Sequence, residues 1–264
     1  MTTKEKMNSI NKTARFTDIS LRQAARIAGF GLLIMFIPAM FAYGFVILSL
    51  VVPGDAAETA DNIMASEMLF RTGIFSFLIV IVLDVLVALG FYVYLKPVNK
   101  SLSLLAAWFR LLYTALFAIA LLHLVTVLRL LIDADNLTVF GTDQLYAQVM
   151  LSLNAFNDGW AIGYVCFFSL HLLLIGYLVY KSGYIPRILG VLLIIGGFGY
   201  LIENVAILLL PNYEAYEAVF SLVIPLLTIP GEVLFAFWLL IKGAKIPEIK
   251  NRDETHAQQT YAKN

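Results

Sequence analysis

Asp84, Arg110, His171 and Glu232 are the side chains best placed to do chemistry, because each lies inside a long apolar run where water is scarce. A charge held in mid-membrane costs from about 3 to more than 10 kcal/mol, so each needs a partner or a reason to be neutral. Asp84 lies twelve positions before Lys96 and Arg110 nine after Ser101, on the two sides of the turn Lys96-Pro97-Val98-Asn99-Lys100-Ser101. At roughly 1.5 Å rise per residue both reach similar depth, and the spacing predicts an ion pair across the hairpin. Measured from the same face, all four residues fall about 13–18 Å deep, which would gather them in one layer near the midplane. Two carboxylates would then face one permanent cation, so either His171 is protonated or one carboxyl is neutral. Glu232 is the expected neutral member, since Asp84 has Arg110.

An exchangeable proton in such a layer suits a proton-coupled transporter or a membrane protein that binds a small polar ligand. His123, Asp158, Glu203 and Asn204 would form a second, outer polar layer. Two other readings stand beside this one. The same groups could be interhelical hydrogen bonds in a scaffold with no ligand site. Alternatively, His123, His171 and Glu203 could supply the three ligands of a zinc-dependent intramembrane hydrolase acting on lipid. The zinc signal is weak, because no HExxH is present and no two histidines stand one turn apart. GxSxG and phosphate loops are also missing, and His123 and His171 differ in depth, which disfavours a bis-histidyl haem. No metal and no cofactor is expected.

The elements that must carry these residues follow from composition. With 61% hydrophobic and 14% charged residues and a mean hydropathy of +0.85, the chain is too apolar for a water-soluble protein of 264 residues. Six apolar stretches, about 24–52, 72–95, 104–132, 158–180, 187–210 and 218–241, approach or exceed the roughly 20 residues a span needs. An all-α bundle of six transmembrane helices (20–243) is predicted, with a polar N-terminus (1–19) and a polar, disordered tail (244–264). Basic residues precede the first span (Arg22 and Arg26 among them), occupy the turns at Lys96 and Lys100 and at Lys181 and Arg187, and follow the last span from Lys242. The opposite loops carry mainly acids, from Asp55 to Glu67, around Asp143 and at Glu214 and Glu217. The positive-inside bias therefore predicts cytoplasmic termini. The first run is too long for a cleaved signal peptide and should act as its own insertion signal. Cys166 is the one cysteine and excludes an internal disulfide. A net charge of zero argues against nucleic acid as a partner and leaves membrane lipids and a small ligand or proton.

Local signals refine the helices. Ser20 and Gln23 form a capping-box pattern, and Asp55 with Glu58 predicts a short surface helix. Thr142 reads as an N-cap, from which 143–156 runs into the fourth span. Ala25 with Gly29, Gly159 with Gly163, and Gly196 with Gly199 are small-residue contacts for neighbouring backbones. Asn157, Tyr164 and His171 recur every seven positions and should share one face. Pro38 predicts a kink, and Pro225 and Pro230 predict a helix break beside Glu232.

The succession Arg26-Ile27-Ala28-Gly29, Pro53-Gly54-Asp55-Ala56, the Lys96 to Ser101 turn with Arg110, Tyr184-Ile185-Pro186-Arg187-Ile188-Leu189-Gly190 and Trp238-Leu239-Leu240-Ile241-Lys242-Gly243 resembles a bacterial multi-pass membrane family catalogued as domain of unknown function 4386. The likeness spans about 20–243. It implies six helices and a bacterial inner membrane, and it implies no activity and no functional residue.

Overall fold

The computed structural model describes residues 19–132 and 141–245. Most of the polar N-terminus and of the polar tail expected to be disordered, with Asp133 and Asp135, therefore lies outside the described residues. Every regular element among those described is helical. Six are long and apolar enough to cross a membrane: α1 (Leu21–Leu50), α3 (Glu67–Leu95), α4 (Lys100–Ile132), α5 (Thr142–Lys181), α6 (Arg187–Leu209) and α7 (Glu217–Ile241). The short α2 (Ala56–Ala65) lies in the first loop. This is a multi-pass membrane protein.

The helix starts follow the local chemistry. Ser20 Oγ accepts from the Gln23 backbone N–H at 3.2 Å, and Gln23 Oε1 accepts from the Ser20 N–H at 3.0 Å, so two orphan donors of α1 are satisfied. Asp55 Oδ1 caps α2 by accepting from Glu58 N at 2.9 Å. Helix α5 starts at Thr142, with Gly141 rather than Thr142 in the N-cap position. Asn99 Oδ1 accepts from Leu102 N at 3.0 Å, and Ser103 Oγ donates to the Tyr92 carbonyl at 2.8 Å, which ties the two arms of the α3/α4 hairpin together.

Sequence neighbours pack side by side from α1 through α3, α4, α5 and α6 to α7, and α7 closes back on α1. The spans thus form a ring with an interior. Small residues let the walls come close. A Cβ at Gly90 would stand 2.9 Å from the Ala28 nitrogen, and one at Gly176 would stand 2.8 Å from the Gly190 carbonyl, so backbone touches backbone at both seams. Gly196 and Gly199 face Thr228 on α7.

Pro38 is followed by a π-helical stretch, Met40–Ile47, inside α1. Two expectations about helix shape are corrected. A second π-helical turn, Tyr164–Phe168, interrupts α5 and shifts the register between Asn157 and His171. Asn157 is consequently exposed while His171 is fully buried, and the shared face is lost. Finally, α7 is not broken at Pro225 or Pro230. Its helix runs through both, since each proline removes one hydrogen bond and leaves the others to hold the turn.

The apolar interior is divided. One core holds Val80, Tyr113 and Phe168, and the other holds Val87, Ala106 and Leu172. Asp84, Arg110 and His171 fall in the gap between these positions on α3, α4 and α5.

Candidate functional site in the central chamber

Arg110 is the hub. Its Nη2 lies 2.5 Å from Asp84 Oδ1 in a buried ion pair, with both side chains only 2% exposed. Arg110 Nη1 donates to His171 Nε2 at 3.2 Å, and His171 Nδ1 donates to the Ala106 carbonyl at 2.8 Å. A guanidinium only donates and a carbonyl only accepts, so the proton of His171 sits on Nδ1 and the ring is neutral. The Arg110 Cζ stands 5.5 Å from the Phe168 ring centre and 6.0 Å from that of Phe91. These rings replace part of the water a buried cation has lost. Nε is buried without a partner.

Glu232 reaches the same region from α7. Tyr200 Oη on α6 donates to its Oε1 at 3.3 Å. Among the described residues no Lys, Arg or His lies within ion-pair distance of it. With Asp84 and Arg110 cancelling and His171 neutral, an ionised Glu232 would leave the layer one negative charge in excess. A neutral Glu232 carboxyl would balance the layer without a protonated histidine.

These groups border a chamber of about 160 Å³ to which all six spans contribute. An engineered cavity of about 150 Å³ takes up benzene, so the space is large enough for a small ligand. Asp84, Arg110 and Glu232 are its ionisable lining. His171 does not line it and stands behind Arg110 as that residue's support. Most of the remaining wall is aromatic or aliphatic, with Phe77, Tyr113, Phe117, Trp160, Tyr164 and Phe168 among its rings. Trp160 Nε1 donates to Tyr113 Oη at 2.9 Å, which uses the polar edge of the indole.

The aromatic wall is the part that reading the sequence for ionisable groups misses. Its signal was present. Phe77, Val80 and Asp84 share a face of α3, and Arg110, Tyr113 and Phe117 share one of α4, at helical spacing. Trp160, Tyr164 and Phe168 recur every fourth position on α5.

The outer layer is not assembled. Asp158 is exposed, His123 and Glu203 are half-buried, and Asn204 donates back to its own helix at the Tyr200 carbonyl, 2.9 Å away. No hydrogen bond or ion pair joins the four among the described residues, because residues alike in depth lie on different faces of their helices. A hydrolase centre made of His123, His171 and Glu203 is likewise not brought together. Among the described residues no three His, Cys, Asp or Glu side chains gather where they could hold a metal ion, and both nitrogens of His171 are engaged.

No solved structure matches the chain. An uncharacterized protein of Archaeoglobus fulgidus is 37% identical over 171 residues, covering 65% of this chain and 83% of that protein. The model of a domain of unknown function, DUF4386, matches residues 27–243, from within the first span to just past the sixth. The chain, with its ring of helices around one charged chamber, belongs to the DUF4386 family.

Proposed function

We propose that the protein binds a small molecule in its central chamber and that Glu232 exchanges a proton as the occupant comes and goes, as a proton-coupled transporter or binding protein would. The observation that carries this reading is the unequal treatment of the two carboxylates. Asp84 is neutralised by Arg110, whereas Glu232 faces a ligand-sized space with only the Tyr200 hydroxyl for company. Intramembrane carboxylates of that kind are expensive to keep and mark proton and substrate paths. A purely structural hydrogen bond needs no chamber beside it. The positive-inside pattern supports a cytoplasmic membrane, with both termini and the Lys96 turn on the cytoplasmic side. The family resemblance favours a bacterial one.

Infrared spectroscopy of the protein in detergent tests the protonation. Wild type is expected to show the carbonyl band of a buried, protonated carboxyl, absent from Glu232→Gln, in protein that keeps its elution profile. Identical spectra for the two would sink the proton-exchange reading.

A further inference from the structure

Resting on that reading, we propose that the occupant is a small organic monocation, an amine or quaternary ammonium head, which takes the place of the Glu232 proton. Sequence favours a polar ligand, yet the wall is mainly aromatic. Ring faces carry negative quadrupole charge, and cages of such rings hold alkylammonium groups. Here the rings are continuous from Glu232 into the chamber. Tyr200, which touches Glu232, packs 4.9 Å from Tyr164, and Tyr164 packs 5.2 Å from Tyr113. Trp160 then lies 5.1 Å from Phe117.

The charge count points the same way. The groups facing Glu232 across the chamber are Tyr200 on α6, Asp84 on α3, Arg110 and Tyr113 on α4 and Tyr164 on α5, while α1 presents Met35 and Phe36 and no ionisable side chain. Arg110 does not repel a cation strongly, because Asp84 lies against it and Phe91 and Phe168 flank it. An anion would have to displace Asp84. A neutral guest would leave Glu232 protonated and gain at most a hydrogen bond from it, with no charge attraction. A monocation instead converts the neutral carboxyl to a carboxylate, and one proton leaves for each cation that binds.

The size and the opening limit the ligand further. About 160 Å³ admits a head the size of tetramethylammonium. Phe36 on α1 and Ile229 on α7 both line the chamber and are 43% and 36% exposed. An opening beside these two residues would let an apolar tail on the cation reach the lipid.

Full-length protein in an uncharged detergent, with isotopically labelled tetramethylammonium, provides the test. Wild type is expected to bind it and release one proton per cation in weakly buffered solution. Glu232→Gln should bind at least tenfold more weakly and release none, and Glu232→Asp should recover part of the binding. Neopentyl alcohol, alike in shape but uncharged, should bind at least tenfold more weakly than the cation. Wild-type affinity in Glu232→Gln, or equal binding of the alcohol and the cation, would overturn the cation assignment. Binding of the alcohol that disappears when Ala39→Phe fills the chamber would leave the ligand site standing and remove only its charge preference. Failure of both compounds to bind wild type would overturn both readings.

Discussion

At the scale of single residues, the pairing of Asp84 with Arg110 and the neutrality of His171 are one device. Removing one partner of a buried ion pair leaves an uncompensated charge and costs about 3–5 kcal/mol, whereas removing both can cost little. Asp84→Leu and Arg110→Met are each expected to lower the unfolding midpoint in detergent strongly. The double variant should recover part of the loss and no more, because His171 Nε2 loses its donor as well. Adding His171→Leu should recover most of the remainder, and a triple variant no more stable than the singles would contradict the scheme. The pair itself was legible in the sequence, since counting residues outward from the Lys96 turn sets its depth. The proton on His171 Nδ1 was not, because it depends on the Ala106 carbonyl from a different helix. Nor was the hydroxyl of Tyr200 on Glu232, which joins residues thirty-two positions apart.

At the scale of elements, the helix ends and small-residue seams were legible because capping and close packing are local or depend on residue size. The register of α5 was not. A π-helical turn adds a residue to one turn of helix, and nothing in the spacing of Asn157, Tyr164 and His171 announces the insertion at Tyr164–Phe168. Continuity of α7 through Pro225 and Pro230 is a tertiary outcome of the same sort, since packing against α6 and α1 outweighs the lost bonds. The connection from α5 to α6 offers a measurable case. Tyr184 Oη donates to the Tyr94 carbonyl at 3.0 Å, satisfying an acceptor in the last turn of α3 from a different pair of helices. Tyr184→Phe is expected to cost about 1 kcal/mol, read from thermal or denaturant unfolding. Burial pushes the Tyr184 phenol up from 10.0 to about 12, which means the fold favours the protonated form. Its contribution is therefore complete below pH 10 and lost as pH rises through 12, so the wild-type advantage over Tyr184→Phe should shrink over that interval.

At the scale of the whole molecule, a ring of six spans has an interior whether or not the interior is used, and what makes this one specific is the placing of charge along the membrane normal. The Asp84 and Arg110 layer divides two apolar cores, with Met35 and Tyr200 packed against both. Outside the membrane, positive charge gathers at one end of the ring, at the Lys96 turn and at Lys181 and Arg187, and acidic residues gather at the other, on α2 and at the start of α5. Membrane insertion holds short basic loops on the cytoplasmic side, so the basic end should face inward. With Cys166 replaced by serine, Ser101→Cys is expected to react with a membrane-impermeant maleimide only after cells are broken open. Glu58→Cys, on the exposed face of α2, should react on intact spheroplasts. The opposite labelling pattern would invert the molecule. Its chamber would then have the basic rim outside and the acidic rim inside, and a cation drawn first to the acidic rim would be collected from the cytoplasm rather than from the exterior.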